Sequence, residues 1–383
     1  MKIALVIERM DTDRGGREAS TAQIAAALAR RGHDVTVLCQ SGLWQHEGVK
    51  VIPLGVRGIT RGAKLKSFAR DVRGELEWGD YDIVHGMAPV PGVNVYQLRS
   101  GTIRAQRDAN RRRRGETKRF LRNFTEKLNR RQVLAGEMER QVVTDPGVWL
   151  LPVSRMVAGE LQRYYQRTDG VRVVFNAVDV PALADSERAD HRRRLRAQMD
   201  ADDETVVFLT VATNWALKGV AESIAAFAKW HARRPKGPNA RLVLLGRDDV
   251  EDYRQQAAAR DLTRHVVFAG STENVAPWYA AADACVLLSW YDPCSRVVLE
   301  AMRLGLPSIT TAFNGAAEAL TDGAGLVVPS PADAFAIAEA FEAMYDNQRR
   351  NRAAQLCRMQ SERLAVSRHV DELLAVYAEV IAS

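Results

Sequence analysis

The chain has 383 residues, of which 46% are hydrophobic and 26% are charged, and its formal net charge is +7. A single hydrophobic core usually stops growing at about 250–300 residues, so this length predicts two domains, and this apolar content excludes an intrinsically disordered chain. The four cysteines are far apart with no CxxC pair, which offers no zinc site and indicates a reducing compartment.

The first part of the chain alternates strand-like and helix-like segments. Residues 2–7 (KIALVI) are a continuous apolar run, typical of a strand buried on both faces of a parallel sheet. A loop with two glycines follows, then a predicted helix from about 18 to 31 and a predicted strand at 35–38. The right-handed crossover of such a βαβ unit makes its strands parallel neighbours. Further strands are predicted at 82–85, 148–153 and 171–175, and a helix at 156–165.

The positive charge is concentrated in one segment, residues 99–131. It holds 13 Lys and Arg side chains and three carboxylates, so its formal charge is +10 and the rest of the chain sums to −3. Phe120, Leu121, Phe124 and Leu128 fall on one helical face, and together with the cations they predict a helix that lies on an anionic membrane surface. A solvated insertion is the alternative interpretation.

The second part of the chain repeats the alternation. After Asn176 the sequence is polar and without a clear apolar period until about residue 204, and we expect the interdomain connection there. Strands are then predicted at 206–212, 242–246, 265–270, 282–289, 307–311 and 326–329, and helices at 219–233, 251–260 and 296–304. The pattern predicts two Rossmann-like, doubly wound α/β domains, 1–180 and 181–383, that face each other across a cleft. A last helix at 363–381 can pack on either domain.

Two carboxylates stand out in the stretch 291–320. Asp292 precedes a predicted helix and Glu300 lies in its second turn, with seven residues between them. A carboxylate among the apolar residues of that helix needs a partner, because an unpaired buried charge is costly. The alternative interpretation is a helix N-terminal anion and a solvated surface residue.

The residues around these carboxylates resemble the retaining nucleotide-sugar glycosyltransferases of family 4, which have the GT-B fold. The family pattern is E-P-F-G-x-x-x-x-E-A-x-x-x-G-x-P-V, and this chain has DPCSRVVLEAMRLGLPS at 292–308. The resemblance implies that Asp292 binds the hydroxyls of the donor sugar and that Glu300 binds the nucleotide ribose. The chain departs from the pattern twice: Asp292 is one methylene shorter than the usual Glu, and Ser295 replaces a Gly whose backbone approaches the sugar phosphate.

A second match is LTVATNWALKGVAESIAAF at 209–227, which resembles the family's strand, Lys-Gly loop and helix. It implies that Lys218 neutralises the leaving phosphates. Thr213 stands where the family often has an Arg. Arg296 is expected to compensate, since an Arg in the first turn of a helix opposes the helix macrodipole and calls for another reason. Arg247, after the predicted strand 242–246, is a further candidate at the nucleotide.

The third match is the loop with Gly15 and Gly16 after the first strand, whose backbone N–H groups can approach a phosphate at a helix N-terminus. Glu18 and His85 are expected on the acceptor side, although a strand-end His is often a structural residue. The DTD sequence at 11–13 mimics the metal-binding triad of the other glycosyltransferase fold. Its place in this loop predicts that it binds no metal.

The resemblance covers nearly the whole chain and is nearest to the lipopolysaccharide-core glucosyltransferases. It implies a retaining enzyme without cofactor or metal that moves a hexose, here glucose, from a UDP-sugar to a glycolipid or saccharide acceptor. The expected partners are the donor, the acceptor and an anionic membrane surface through 99–131, with no nucleic acid. No apolar stretch reaches the ~20 residues of a spanning helix, and the N-terminal one is too short for a signal peptide. We therefore expect a cytoplasmic protein, peripheral on the inner face of the membrane.

Three alternatives stay open. The donor could be GDP-mannose instead of a UDP-sugar. An epimerase or hydrolase of the same fold would act on the nucleotide sugar alone. A nucleic-acid-binding protein would use the arginines of 99–131, but base stacking needs interleaved aromatic residues, and the segment has only Phe120 and Phe124.

Overall fold

The computed structural model describes residues 1–11, 15–114, 130–181, 183–233 and 237–383. The strands are β1 (Lys2–Arg9), β2 (Asp34–Ser41), β3 (Val49–Pro53), β4 (Ile83–Gly86), β5 (Val95–Leu98), β6 (Trp149–Pro152), β7 (Val206–Val211), β8 (Ala240–Leu245), β9 (Val266–Gly270), β10 (Ala284–Leu287), β11 (Ser308–Thr311) and β12 (Gly325–Val328). Within the described residues they form two parallel six-stranded sheets, ordered β3-β2-β1-β4-β5-β6 and β12-β11-β10-β7-β8-β9. The predicted α/β class with two doubly wound sheets is confirmed.

Helices connect the strands in both sheets. They are α1 (Gly16–Arg30), α2 (Arg61–Trp78), α3 (Ile103–Arg114), α4 (Arg130–Thr144), α5 (Arg155–Tyr165), α6 (Asp185–Gln198), α7 (Val220–His231), α8 (Glu251–Ala258), α9 (Ala276–Ala281), α10 (Arg296–Arg303), α11 (Ala334–Tyr345), α12 (Asn347–Gln360) and α13 (Val366–Ala382). Helices cover the sheets, and the apolar run of the central strand β1, residues 3–7, is fully buried.

The chain divides into two compact units. The first comprises Met1–Ala177 and Ala365–Ser383, and the second comprises Val178–Leu364. Helix α13 therefore belongs to the first unit, which is one of the two placements that the sequence left open. Its residues Val370, Leu373 and Val376 lie in the hydrophobic core of that unit with β1 and β2.

The polar stretch after residue 176 contains a helix that the sequence analysis missed. Helix α6 belongs to the second unit and is held by ion pairs more than by an apolar stripe. Arg196 is buried, and its guanidinium pairs with one carboxylate oxygen of Asp283 at 3.0 Å, while Arg192 pairs with the other at 2.8 Å. Because Arg residues anchor this helix, the apolar period that would have revealed it is weak.

The segment 171–175 is not a seventh strand of the first sheet. It runs beside β6, and the backbone N–H groups of Arg172 and Val174 donate to β6 carbonyls at 3.0 and 3.1 Å. Only Val171 forms a β-bridge, with Leu150. The apolar residues of this segment therefore extend the edge of the sheet without forming a regular strand.

A buried pair of polar side chains joins α13 to β4. The Nδ1 atom of His85 and the hydroxyl of Tyr377 share a hydrogen bond of 2.5 Å, and both side chains are fully buried. Burial, with a smaller effect of the nearby Arg99, lowers the pKa of His85 to about 3. The imidazole is therefore neutral in the folded protein at neutral pH.

We expect the stability of the protein to fall as the pH drops below about 6.5. The unfolded chain protonates His85 near its ordinary pKa of about 6.5, whereas the folded chain does so only near pH 3. Protons therefore favour the unfolded state below about pH 6.5, and the full stabilisation is present only above it. Between about pH 7.5 and about pH 5, the variant His85→Gln should lose less in Tm than the wild type.

The control is His191→Gln, at a half-buried position of α6, which should lose as much Tm on acidification as the wild type. An unchanged loss in the His85→Gln variant would show that this imidazole does not contribute to the pH dependence.

Candidate functional site

The second sheet brings two predicted site residues together. Its order places β7 and β10 side by side, paired in parallel at Phe208 and Ala284. The loops that follow parallel neighbours leave the sheet at the same, carboxyl, edge. Lys218 lies in the loop after β7 and Asp292 in the loop after β10, so the two residues approach each other although they are far apart in sequence.

Lys218 and Asp292 form an ion pair. The ammonium Nζ lies 2.5 Å from Oδ2 of the carboxylate, and the side chains are 22% and 10% exposed. Gly219 makes the close approach of the loop possible: its φ is +70°, and a Cβ there would lie 2.0 Å from the carbonyl oxygen of Leu288, the residue after β10. A glycine is therefore required beside Lys218, which gives the predicted Lys-Gly loop a steric basis.

The loop that carries Asp292 is fixed by Asn314, a residue that the sequence analysis did not single out. The two residues form a parallel β-bridge. The fully buried Asn314 side chain accepts a hydrogen bond from the Ser295 backbone N–H at 3.1 Å and donates one to the Thr310 hydroxyl at 3.0 Å. An Asn-Gly pair in the loop after β11 was the available signal, since Asn commonly bonds backbone groups in turns.

Arg296 and Glu300 form a second ion pair, one turn apart on α10. The guanidinium Nη2 lies 3.1 Å from Oε1 of Glu300, and the Tyr279 hydroxyl donates to Oε2 at 3.1 Å. Burial raises the pKa of Glu300, and Arg296 and Tyr279 partly oppose that rise. This pairing gives a reason for an Arg in the first turn of α10. The predicted role of Arg296 at a phosphate stays a prediction.

The remaining predicted residues of the second unit lie close to this edge of the sheet. Ser295 is buried as the N-cap residue of α10. Arg247 follows β8 and is exposed, and its Nε lies 3.2 Å from the Ser271 hydroxyl. Gly246 precedes it with a φ of +144°, and a Cβ there would lie 1.7 Å from the carbonyl oxygen of Ala212. The loops after β7 and β8 are thus packed backbone to backbone.

The predicted site residues of the first unit differ in their exposure. Gly15 and Gly16 are exposed at the start of α1, and Glu18 in its first turn pairs with Arg17 at 3.4 Å. His85 is fully buried and hydrogen-bonded to Tyr377 of α13, which the local sequence does not reveal, and its predicted place on the acceptor side stays a prediction. Of the DTD sequence, positions 12 and 13 lie outside the described residues.

Several arginines of the segment 99–131 are engaged within the first unit. Arg99 bonds Gln97 and Asn176, and Arg104 donates to a carbonyl oxygen of α5. Arg107 donates to the Gln132 carbonyl oxygen, and Arg131 pairs with Glu8, at 2.7 and 3.0 Å. The predicted amphipathic helix with Phe120 and Phe124 falls on residues 115–129, outside the described residues.

The described residues hold no group of three His, Cys, Asp or Glu side chains arranged to bind a metal ion. No helix among the described residues has the length and apolar content needed to span a bilayer.

Comparison with known proteins identifies both halves of the chain. Residues 14–181 match the model of Glycosyltransferase Family 4, and residues 191–359 match that of Glycosyl transferases group 1. The lipopolysaccharide glucosyltransferase WaaG of Escherichia coli is 25% identical over 322 residues, 83% of this chain and 82% of that protein. A phosphatidyl-myo-inositol mannosyltransferase of Mycolicibacterium smegmatis is 26% identical over 357 residues, 88% of this chain and 83% of that protein.

Solved structures share the fold. The crystal structure of WaaG, a glycosyltransferase involved in lipopolysaccharide biosynthesis, superposes with a TM-score of 0.80 at 22% identity and covers 97% of this chain and 98% of that one. Anabaena HepE in complex with UDP and glucose superposes with a TM-score of 0.73 at 18% identity, and both chains are covered completely.

Proposed function

Because the chain belongs to the GT-B glycosyltransferases, with a family 4 N-terminal half and a group 1 C-terminal half, we propose that it transfers glucose from a UDP-sugar to a membrane-associated glycolipid. The acceptor would resemble the core of a lipopolysaccharide. Transfer would retain the anomeric configuration and need no metal. The similarity to a lipopolysaccharide glucosyltransferase along most of both chains supports the sugar and the acceptor class.

This proposal is based on one observation, the two ion pairs at the carboxyl edge of the second sheet. Lys218 with Asp292, and Arg296 with Glu300, place two cations and two carboxylates beside α10. A nucleoside diphosphate sugar offers both kinds of partner: phosphate oxygens that accept from cations, and sugar and ribose hydroxyls that donate to carboxylates.

The Lys218–Asp292 pair can contact both the sugar and the diphosphate of the donor. When a sugar hydroxyl donates to Asp292 and a phosphate accepts from Lys218, one ion pair is exchanged for two contacts with the ligand. As the anomeric bond breaks, negative charge grows on the diphosphate, and a preorganised ammonium stabilises it more in the transition state than in the ground state. Fixed cations thus take the role that a divalent metal has in other transferases.

A second donor has support of its own. A mannosyltransferase is 26% identical to this chain over 88% of its length, which favours GDP-mannose as the alternative. Glucose and mannose differ only in the configuration of the C2 hydroxyl, so the shorter Asp292 alone does not decide between them.

We expect UDP-glucose to raise the Tm of the protein and to serve as donor in the presence of EDTA, because side-chain cations neutralise the diphosphate. Thermal shift with UDP-glucose and GDP-mannose, each with and without EDTA, measures binding, and a transfer assay with and without EDTA measures use as a donor. A larger shift with GDP-mannose would select the alternative donor, and an absolute requirement for Mg²⁺ or Mn²⁺ would contradict the proposed metal independence.

Substitutions should separate the roles of the charged residues. Lys218→Ala is expected to lower the transfer rate by about 10²–10³, the usual effect of removing one preorganised electrostatic donor.

Asp292→Ala should lower mainly kcat, because this carboxylate touches the reacting sugar, whereas Glu300→Ala should mainly weaken nucleotide binding. Steady-state kinetics and nucleotide titration distinguish these effects.

The matched control is Lys229→Ala, an exposed cation near the end of α7, which should keep wild-type kinetics. Wild-type turnover in the Lys218→Ala variant would mean that the phosphate site lies elsewhere.

We further propose that the segment 99–131 attaches the protein to an anionic membrane, on the cytoplasmic face where nucleotide sugars are made. Some of its arginines, among them Arg99, Arg107 and Arg131, form hydrogen bonds or ion pairs within the first unit. Arg111 and Arg112 are exposed at the end of α3. Each cation near an anionic bilayer contributes up to about 1 kcal/mol.

Replacing Arg111 to Arg114 by Ser should therefore weaken co-sedimentation with anionic liposomes while nucleotide binding persists. High salt should release the wild-type protein because it screens these charges. Equal binding to neutral and anionic vesicles, or a preference for RNA at matched salt, would reject this attachment.

A further inference from the structure

Trp290 joins the loop after β10 to the loop after β7. Its backbone N–H donates to the carbonyl oxygen of Leu217 at 2.9 Å, and its indole N–H donates to Oε1 of Glu222 at 2.9 Å. Leu217 directly precedes Lys218, and Glu222 lies in the first turn of α7. Trp290 itself stands two residues before Asp292. This residue therefore bridges the chain segments that carry both members of the Lys218–Asp292 ion pair.

Glu222 is a second carboxylate near Lys218 along the chain. It follows Lys218 by four residues, across the turn at Gly219. Its Oε2 atom is buried and has no hydrogen-bond partner among the described residues. A buried carboxylate oxygen without a partner is costly, so it attracts a cation that can reach it. The Lys218 ammonium nevertheless pairs with Asp292, which calls for something that keeps Glu222 from competing.

The hydrogen bond from the indole of Trp290 orients the Glu222 carboxylate. Hydrogen bonds to charged groups are among the stronger ones in proteins. This one occupies one of the two carboxylate oxygens and restricts rotation of the side chain. Without it, Glu222 can turn towards the preceding loop and share the ammonium of Lys218. An ammonium shared in this way would be drawn from its place beside Asp292.

We propose that Trp290 is a positioning residue: its indole N–H holds the Glu222 carboxylate off the Lys218 ammonium, so that this cation stays beside Asp292 for the diphosphate of the donor. The inference rests on the proposed function, because it gives the ammonium a leaving diphosphate to stabilise. Trp290 acts only through Lys218 in this scheme. It also lies outside the family motif at 292–308, so that motif does not indicate it.

The variant Trp290→Phe tests the proposal, because it removes the indole N–H and keeps an aromatic ring and the backbone bond to Leu217. We expect kcat to fall about tenfold, the effect of losing one hydrogen bond to a charged group, while the KM of the acceptor stays unchanged. Adding Glu222→Gln removes the competing charge, so the double variant should recover kcat to within about twofold of the wild type.

The matched control is Trp230→Phe. The indole of Trp230 donates to Oε2 of Glu342 at 2.7 Å, between α7 and α11, so this variant also loses an indole–carboxylate hydrogen bond of the second unit. It should keep the kcat of the wild type. A loss of packing in Trp290→Phe would lower the Tm, and Glu222→Gln would not restore the lost turnover.

A second readout needs no sugar transfer. A second carboxylate beside an ammonium stabilises the protonated form and slows acylation by an N-hydroxysuccinimide ester. Peptide mass spectrometry should show acylation of Lys218 at least about threefold slower in Trp290→Phe and at the wild-type rate in the double variant. Lys229, which is exposed, is the internal reference and should react equally in all proteins.

The two readouts separate the failure of this inference from the failure of the proposed function. If the wild type transfers no sugar and the acylation pattern still appears, the function is wrong and the position of Lys218 is confirmed. Wild-type kcat and Lys218 acylation in Trp290→Phe, or a double variant as impaired as Trp290→Phe in both readouts, would overturn the positioning role.

Discussion

The site of the second unit depends on one constraint: Lys218 and Asp292 must be held together while both are largely removed from water. The carboxylate is 10% exposed and the ammonium 22% exposed, at a separation of 2.5 Å. Removal of one partner would leave the other charge partly buried and unpaired, which is the costly arrangement. The adjacency of β7 and β10, the glycine at 219 and the bridge of Asp292 to Asn314 all serve this contact.

The same constraint is the basis of the proposal that the site binds an anionic, hydroxyl-rich ligand. The two ion pairs sum to zero formal charge, so the four side chains neutralise one another in the folded protein. Their members are fixed by neighbours that do not contact the ligand in this scheme: Asn314 holds the N-cap of α10, and Tyr279 holds one oxygen of Glu300. Preorganisation of this kind avoids reorganisation when charge develops on a leaving group.

Much of this arrangement could be predicted from the sequence, because it depends on local patterns. Buried parallel strands are continuous apolar runs, as residues 3–7 illustrate, and a Lys-Gly pair before a helix is visible in one stretch of sequence. The features that the sequence did not reveal depend on residues far away along the chain. Helix α6 is anchored by Arg196 on Asp283, and the burial of His85 depends on Tyr377 from the last helix. No window of sequence around α6 or β4 contains those partners, so periodicity could not reveal them.

The arginines of the first unit show why a count of charges does not define a surface. Arg99 bonds the buried side chains of Gln97 and Asn176, so its guanidinium has partners within the first unit. A formal charge of +10 in residues 99–131 therefore overstates what that segment presents to a partner. Residues 54–66 have only four cations but no carboxylate, and three of those cations are exposed beside apolar side chains. The exposure of the cations and the side chains around them, more than the net charge, determine which basic segment can bind a membrane.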